Sequence, residues 1–550
     1  MKRERLTLTL PLVVALVLAL GVWMGFTISS SRPKDKTPEE NTTSSAPAAH
    51  SRGGSKVGYA LSLVRHLYLD PVDTDTIEER LMHELFASLD PHSVYIPVEE
   101  LQAVNEPLEG EFDGIGVVFN MATDTVVVLN TVAGGPSYKA GVLPGDRIIT
   151  VDGDTMAGRK IAQDKVVERL RGKRGTKVRL GLKRSQVEGL VEVDIVRDKI
   201  PLHSIDAAFM IRPEVGYIRL TSFARTTHSE FLEAVEKLRG EGMTKLIFDL
   251  RSNSGGYLDQ AIKMTNEFLP AGQLMVYTED KNGNQQKEYS TGGGKLTDIP
   301  LVVLIDDYSA SSSEILAGAL QDNDRGTIVG RRSFGKGLVQ SQIPLADGSA
   351  VRMTVARYYT PTGRCIQKPY DKGEEDYLYD IVHRYEKGEM FSADSIHFAD
   401  SLKFITPKGK VVYGGGGIMP DVFVPIDTLD MTPYYYATTG LNILYRYTLD
   451  YADRHRKQIN AIQRLDQLEA FLDGDSRLLE DFVEYAAEKG VKPNRKEIAK
   501  SEKLLRSMLR AYIARNTELQ DVGYFSQIEP IDEALQKAFE ILDGEQVTER

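Results

Sequence analysis

The hydrophobic pattern divides the chain into segments, and the first is the most apolar. Leu6–Ser31 contains 26 residues without a charge, and about 20 apolar residues cross a bilayer as a helix. Lys2, Arg3 and Arg5 precede this run, so the N-terminus is expected in the cytoplasm and the body outside it. A cleaved signal peptide within residues 1–31 is the alternative. Both interpretations predict an exported protein. An uncleaved anchor would fix it in the inner membrane, on the periplasmic side of the cell envelope.

Two further segments precede the main folded body. Residues 32–55 are rich in Ser, Thr, Pro and Ala, a composition that buries too little surface to fold, so we expect a flexible linker. Residues 56–104 carry apolar residues at helical spacing and are predicted to be helical. The segment includes a turn at Leu89–Ser93. His92 in this turn is expected to be a local hydrogen-bonding residue rather than a catalytic one.

Residues 105–196 have short β-rich runs separated by glycine-rich turns, with one helical piece. Two loops stand out, Gly114–Val117 and Ala140–Asp146. Glycines in the first loop let successive backbone amides converge on an anion. Together the loops resemble a PDZ domain. The resemblance implies that Gly114, Ile115, Gly116 and Val117 bind a peptide's terminal carboxylate, and that the next strand pairs with the peptide.

Strands alternate with helices in residues 197–426, which predicts a mostly parallel sheet. Asp347-Gly348 between two strand-like runs indicates a hairpin. Residues 271–295 are polar and glycine-rich and are expected to form a surface excursion. The predicted sheet strands are Val215–Leu220, Lys245–Leu250, Leu301–Ile305 and Thr327–Val329.

Residues 427–550 are helical by pattern and rich in charge. Two leucine-rich stripes favour a packing or dimerisation domain without chemistry of its own. The fold class is therefore a multidomain α/β and α+β protein.

Composition narrows the function classes. The chain is 41% hydrophobic and 27% charged, as in globular proteins. A net charge of −12 argues against nucleic acid as a partner. Its one cysteine, Cys365, excludes an intramolecular disulfide and a cysteine-rich zinc site. We expect no metal and no cofactor.

The candidate chemistry lies where strands lead into polar turns. Ser309–Glu314 holds four serines and begins a helix, whose N-terminus favours developing negative charge. A nucleophilic serine needs a base, and no histidine lies near it in the sequence. A lysine kept neutral by burial is the other solution. Lys336, between two glycines and without an acid within ten residues, suits that role.

Two nearby motifs resemble other functional motifs but depart from the required pattern. Gly330–Lys336 reads as the start of a phosphate-binding loop, but Gly337 replaces the hydroxyl residue that binds Mg²⁺. Gly330–Gly335 is one residue too long for an esterase elbow, so Ser333 is expected to be structural.

Several motifs in order resemble those of the carboxyl-terminal processing peptidases, also called tail-specific proteases, over about residues 56–425. The resemblance implies a crotonase-like α/β protease core preceded by a PDZ domain. The sequence motifs that carry it are Asp249–Gly256, Ser309–Ile315, Ala317–Asp322, Gly335–Gln340, Tyr358–Arg364 and Gly417–Asp421.

Residue roles follow from this resemblance. Ser311 would be the nucleophile and Lys336 the general base, with Gln340 orienting the lysine. The position after Ser311 is Ser312, where the family usually has alanine.

The resemblance also implies an oxyanion hole. It would use the backbone N–H of Ser312 and of a glycine in the Gly255-Gly256 pair. Asp322 matches an acid whose role is either structural or catalytic.

The sequence thus predicts an exported serine endopeptidase that binds protein C-terminal tails and cleaves them through an acyl-enzyme. A non-catalytic PDZ scaffold is the main alternative, and a crotonase-like acyl-CoA enzyme is a third. The expected partners are peptide or protein substrates and the membrane. Self-association would involve the C-terminal helices.

Overall fold

Helical and strand-rich segments alternate along the chain in the order that the sequence predicts. The computed structural model describes residues 55–121, 124–132, 134–184 and 187–544. The predicted anchor, and the linker up to residue 54, lie outside these ranges. Within them, no helix combines the length and apolar character needed to cross a bilayer.

The described chain separates into two units, the first ending at Glu78 and the second starting at Glu79. Helix α1 (Lys56–Leu67) lies in the first unit, and α2 (Thr74–Ala87) spans the boundary. The prediction of helices is confirmed here, although α1 buries no residue. Strand β1 (Val94–Ile96) and helix α3 (Val98–Glu109) follow in the second unit.

Residues 111–201 form the β-rich module. Five of its strands make one sheet in the order β3-β4-β5-β7-β8, and β6 pairs with β5. Strands β2 and β9 pair with each other at its two ends. The predicted strands and the predicted helix are all present. The elements are β2 (Glu111–Gly114), β3 (Val117–Asn120), β4 (Val126–Thr131), α4 (Pro136–Lys139), β5 (Arg147–Val151), β6 (Asp154–Thr155), α5 (Gln163–Leu170), β7 (Lys177–Lys183), β8 (Val191–Val196) and β9 (Asp198–Pro201).

The next part contains the predicted parallel sheet. Its order is β10-β11-β12-β15-β16-β21, and every pair from β11 onward is parallel. The elements are β10 (Ile205–Arg212), β11 (Val215–Leu220), α6 (Thr227–Gly240), β12 (Lys245–Asp249), α7 (Leu258–Asn266), β13 (Leu274–Asp280), β14 (Gln285–Tyr289), β15 (Leu301–Ile305), α8 (Ser312–Asp322), β16 (Thr327–Gly330), β17 (Leu338–Pro344), β18 (Ala350–Tyr359), α9 (Glu374–Leu378), α10 (Asp380–Glu386), β19 (Lys403–Ile405), β20 (Val411–Tyr413) and β21 (Val422–Phe423).

A second sheet lies beside the first, in the order β1-β18-β13-β14, with β17 also paired to β18. The hairpin predicted at Asp347-Gly348 joins β17 to β18. The expected surface excursion is itself a hairpin, β13–β14, which lies partly over the cavity described below. Asn282-Gly283 at its tip is a strong hairpin signal that the polar composition of this segment obscured.

Helices cover both faces of the parallel sheet. Apolar residues of α6, α7 and α8 form one buried cluster with the sheet, which includes Phe231, Phe248 and Leu316. The opposite face packs against Leu535 and Phe539 of the last helix. The end of the chain therefore completes the core of this sheet.

The remaining helices have a core of their own, which includes Leu468, Leu472 and Leu505 from the two predicted stripes. The stripes therefore pack within one domain. Its helices, followed by the last two helices, are α11 (Pro433–Gly440), α12 (Ile443–Arg454), α13 (Arg456–Ile459), α14 (Leu465–Asp473), α15 (Leu478–Glu488), α16 (Arg495–Lys500), α17 (Glu502–Ala514), α18 (Gln520–Ile528) and α19 (Glu533–Leu542).

Candidate active site

Three loops that follow neighbouring parallel strands contain most of the predicted catalytic residues. They succeed β12, β15 and β16, so they meet at the carboxyl edge of the sheet, where α/β proteins bind their ligands. The first contains Gly255 and Gly256, the second Ser311, and the third Lys336. The sequence pattern indicated the first two of these strand ends, and the structure adds the loop that contains Lys336.

Ser311 occupies a strained turn at the start of α8. Its backbone has φ 55° and ψ −114°, a region that residues other than glycine rarely adopt. Ser311 is partly exposed, whereas its neighbours at 309–310 and 312–322 are all buried. Such strain is kept when the surrounding structure holds it, and it is common at functional sites.

The other three serines of this stretch have structural partners. Each donates its hydroxyl to a backbone carbonyl of the neighbouring turn after β12, which fixes the start of α8 against that turn. These bonds join Ser309 to Leu250 (2.9 Å), Ser312 to Gly256 (3.0 Å) and Ser313 to Asn253 (2.9 Å). Ser311 is therefore the one serine of this stretch whose hydroxyl does not donate to that turn.

Lys336 lies with Ser311 in the lining of one cavity, of about 1330 Å³. Its Nζ donates to Oε1 of Gln340 at 3.0 Å. Burial lowers the pKa of Lys336, and the nearby Arg352 cation lowers it further, while Asp90 and Glu314 act in the opposite direction. Among the described residues, no hydrogen bond joins Lys336 Nζ to the Ser311 hydroxyl. Catalytic hydrogen bonds are often loose before substrate binds.

Gln340 is held in one orientation by the turn before β1. Its Nε2 donates to the His92 carbonyl at 2.5 Å, so Oε1 faces the lysine. Asp90 shapes this turn by accepting the N–H groups of His92 and Ser93, each at 2.9 Å. A fixed acceptor on one side of Nζ leaves the lone pair of a neutral lysine free for the nucleophile.

His92 is a hydrogen-bonding residue, as the sequence predicts, but the partner of its ring is distant in the sequence rather than local. Its ring lies 2.8 Å from the Tyr377 hydroxyl. Burial lowers its pKa to about 4, and the Lys336 charge contributes to this shift. The hydrogen bond from Gln340 to the His92 carbonyl could not be predicted from the sequence, because every residue has a backbone carbonyl and no residue type indicates this contact.

Two backbone amides beside Ser311 are available as oxyanion donors. Within the described ranges, the N–H groups of Ser312 and Gly256 donate to no protein acceptor. The Gly255 N–H donates to Asn253 Oδ1 at 2.9 Å. A Cβ on Gly255 would lie only 2.7 Å from Ser311 Cβ, so this position requires glycine. The arrangement favours Gly256 with Ser312 as the donor pair.

Asp322 lies at the far end of α8 and does not line the cavity. It forms a fully buried ion pair with Arg364 at 2.7 Å and accepts the Thr362 hydroxyl. Of the two roles that the sequence left open, the structure supports the structural one.

The predicted carboxylate-binding loop connects β2 to β3. The carbonyls of Ile115 and Gly116 accept from Ser137 and Val132 at 2.9 and 3.0 Å. The N–H groups of Ile115 and Gly116 have no protein acceptor among the described residues. Among the described strands, β3, which begins at Val117, pairs with β4 alone. Its other edge can accept an added strand.

A serine in a strained turn and a buried lysine line one cavity together with two free backbone amides, and a β-rich module with an open strand edge precedes them in the chain. This combination defines a serine peptidase with a PDZ domain. Family models match three segments: "Peptidase family S41" at residues 214–375, "PDZ domain" at 114–195 and a "Family of unknown function" (DUF8443) at 434–517.

The carboxy-terminal-processing protease of Bartonella bacilliformis is 37% identical to this chain over 318 residues, or 57% of this chain and 72% of that protein. The carboxy-terminal processing proteases CtpA and CtpB of Bacillus subtilis are 34% and 30% identical. Those matches cover 62% and 70% of this chain, and 72% and 78% of the relatives. The chain belongs to peptidase family S41, among the carboxy-terminal processing proteases. The catalytic interpretation is thus confirmed over the scaffold alternative.

Proposed function

We propose that this peptidase binds the free C-terminal tails of proteins through its PDZ domain and cleaves them at Ser311. One observation carries the proposal: a partly exposed serine in a strained turn shares a cavity with a lysine whose pKa is lowered by burial. The names of the relatives, which are processing proteases for carboxy termini, support the choice of substrate.

The chemical steps follow from these groups. Neutral Lys336 takes the proton of the Ser311 hydroxyl as its oxygen attacks the scissile carbonyl. The N–H groups of Ser312 and Gly256 stabilise the resulting oxyanion. Protonated Lys336 then gives its proton to the leaving amine, and the acyl-enzyme forms. Water, deprotonated by the same lysine, releases the new C-terminus and restores the serine.

Cleavage of a protein with an exposed apolar tail tests this proposal. Ser311→Ala and Lys336→Ala should each abolish cleavage, because one removes the nucleophile and the other its base. Lys263→Ala is the control, since this exposed lysine lies outside the cavity lining and should leave the rate unchanged. Full activity in either active-site variant would refute the assigned pair.

The location of the enzyme is a second part of the proposal. The uncharged run at residues 6–31 and the basic residues before it support an anchor in the inner membrane with the body in the periplasm. Fractionation with protease treatment of spheroplasts should find a membrane-bound protein that is accessible from outside. A soluble, shortened protein would favour signal cleavage instead.

Self-association through the C-terminal helices is also proposed, on the exposed apolar side chains of Tyr436 and Leu441. Light scattering after gel filtration tests it. A dimer that Leu441→Asp dissociates would support it, and a monomer at micromolar concentration would refute it.

A further inference from the structure

Glu314 is a fully buried carboxylate in the first turn of α8. Its Oε2 accepts the N–H of Ser311 at 2.9 Å and the N–H of Lys336 at 2.8 Å. Its Oε1 accepts the N–H of Gly335 at 2.7 Å and the Ser333 hydroxyl at 2.5 Å. A helix-capping role explains the bond to Ser311 alone. The other three donors belong to the loop that carries the base.

Tyr358 makes a second link between the same two residues. Its buried hydroxyl lies 2.7 Å from the Lys336 carbonyl and 3.2 Å from the Ser311 carbonyl. The N–H groups of the nucleophile and the base therefore converge on one carboxylate, and their carbonyls on one hydroxyl.

We propose that Glu314 and Tyr358 are positioning residues that set the separation of the Ser311 turn from the Lys336 loop. This inference rests on the proposed function of those two residues. Ser311 and Lys336 belong to loops after different strands, so side chains must hold the loops in register. A misplacement of about 1 Å at such a site can lower the rate about 100-fold.

The chemistry of the four partners explains why a carboxylate is needed at position 314. All four are donors, and an ionised carboxylate offers acceptor sites on both oxygens. A glutamine of the same shape would turn its NH₂ group toward two of these donors. Burial raises the pKa of Glu314 to about 7, and the hydrogen bonds oppose that rise because they favour the ionised form.

The experiment compares kcat, KM and the rate of labelling by a fluorophosphonate probe. Circular dichroism measures the folded fraction of each variant, and kcat and the labelling rate are expressed per folded molecule. Glu314→Gln should lower kcat and the labelling rate about 100-fold or more, with KM within about threefold. Tyr358→Phe removes one hydroxyl and should lower both about tenfold. A role in stability alone would reduce the folded fraction and leave kcat per folded molecule unchanged.

Two variants serve as matched controls. Glu267→Gln alters another buried carboxylate, which accepts the Lys295 N–H away from the cavity. Tyr359→Phe removes the next hydroxyl along β18, from a ring stacked on Tyr277. Both should keep wild-type kcat and labelling.

Each outcome is decisive. Wild-type kcat and labelling in Glu314→Gln and Tyr358→Phe, or equal losses in the controls, would overturn the positioning roles. If Glu314→Gln does not fold, the comparison of Tyr358→Phe with its control Tyr359→Phe decides whether the positioning role holds. Undiminished cleavage by Ser311→Ala would instead overturn the proposed function, on which the positioning roles of Glu314 and Tyr358 rest.

Discussion

At the scale of single residues, the proposed mechanism depends on keeping one lysine unprotonated. The pKa of Lys336 is lowered mainly by burial and then by the cation of Arg352, which lines the same cavity. Arg352 donates to Gln342 and forms no ion pair with a described residue, so its charge acts on the cavity. No motif pointed to Arg352, because its place in the cavity lining depends on how β18 packs in the folded chain.

Replacing Arg352 by glutamine should therefore raise the pKa of Lys336. A higher pKa leaves less neutral amine at a given pH, so the acid limb of the kcat/KM profile should move to higher pH. Arg352→Lys keeps the charge and should keep the profile. Arg357→Gln, on the same strand but outside the cavity lining, is the control. A profile that stays in place, or moves to lower pH, in Arg352→Gln would contradict this role.

At the scale of elements, the proposed peptide-binding edge of the PDZ domain combines the side of β3 that no described strand occupies with the open amides of the preceding loop. The amides would bind a carboxylate, and the strand edge would bind the peptide backbone. An isolated Gly-x-Gly in a sequence is a weak signal, and the second loop at Ala140–Asp146 made the assignment specific.

Peptides that end in apolar residues test this edge. A free C-terminal carboxylate should bind about tenfold or more tightly than the same peptide as its amide, because hydrogen bonds to a charged group are the stronger ones. Fluorescence anisotropy with the full chain as the Ser311→Ala variant measures both affinities. Blocking the peptide's N-terminus should change nothing. Equal affinity for acid and amide would exclude carboxylate capture.

Strong local patterns were sufficient to predict most elements, including the parallel strands, the β17–β18 hairpin and the leucine stripes. Contacts distant in sequence were not predictable. Packing of α19 on the sheet depends on Leu535 and Phe539, whose pattern indicates an amphipathic helix without naming its partner. The bonds from Glu314 to the lysine loop, and from His92 to Gln340, likewise depend on the folded chain. The proposed catalytic residues could be selected from the sequence because several motifs occur together in order.

At the scale of the whole molecule, the PDZ domain contacts the C-terminal helical domain. Arg147 at the start of β5 pairs with Asp453 of α12 at 2.9 Å, and Asp453 also pairs with Arg456. The Arg456 side chain lies against Gly145, where an added Cβ would be 3.1 Å from its Nε. Exposed pairs of this kind contribute about 1 kcal/mol or less. The ion pair by itself therefore adds little to the stability of this contact.

Removing the Arg147 side chain should loosen this contact. Dyes on cysteines placed at the exposed positions Lys173 and Lys489, in a Cys365→Ser background, report the distance between the two domains. Arg147→Ala should broaden the distance distribution. Arg179→Ala should leave it unchanged, because Arg179 pairs within the PDZ domain, with Asp194. An unchanged distribution in Arg147→Ala would show that the ion pair does not hold the domains together.

The central claim is that Ser311 is the nucleophile and Lys336 its base. The most direct measurement is to label the full chain with a fluorophosphonate and to map the modified residue by mass spectrometry across a pH series. The account predicts a single adduct on Ser311 that is lost in Lys336→Ala. An adduct on another residue, or undiminished labelling of Ser311 without the lysine, would contradict it.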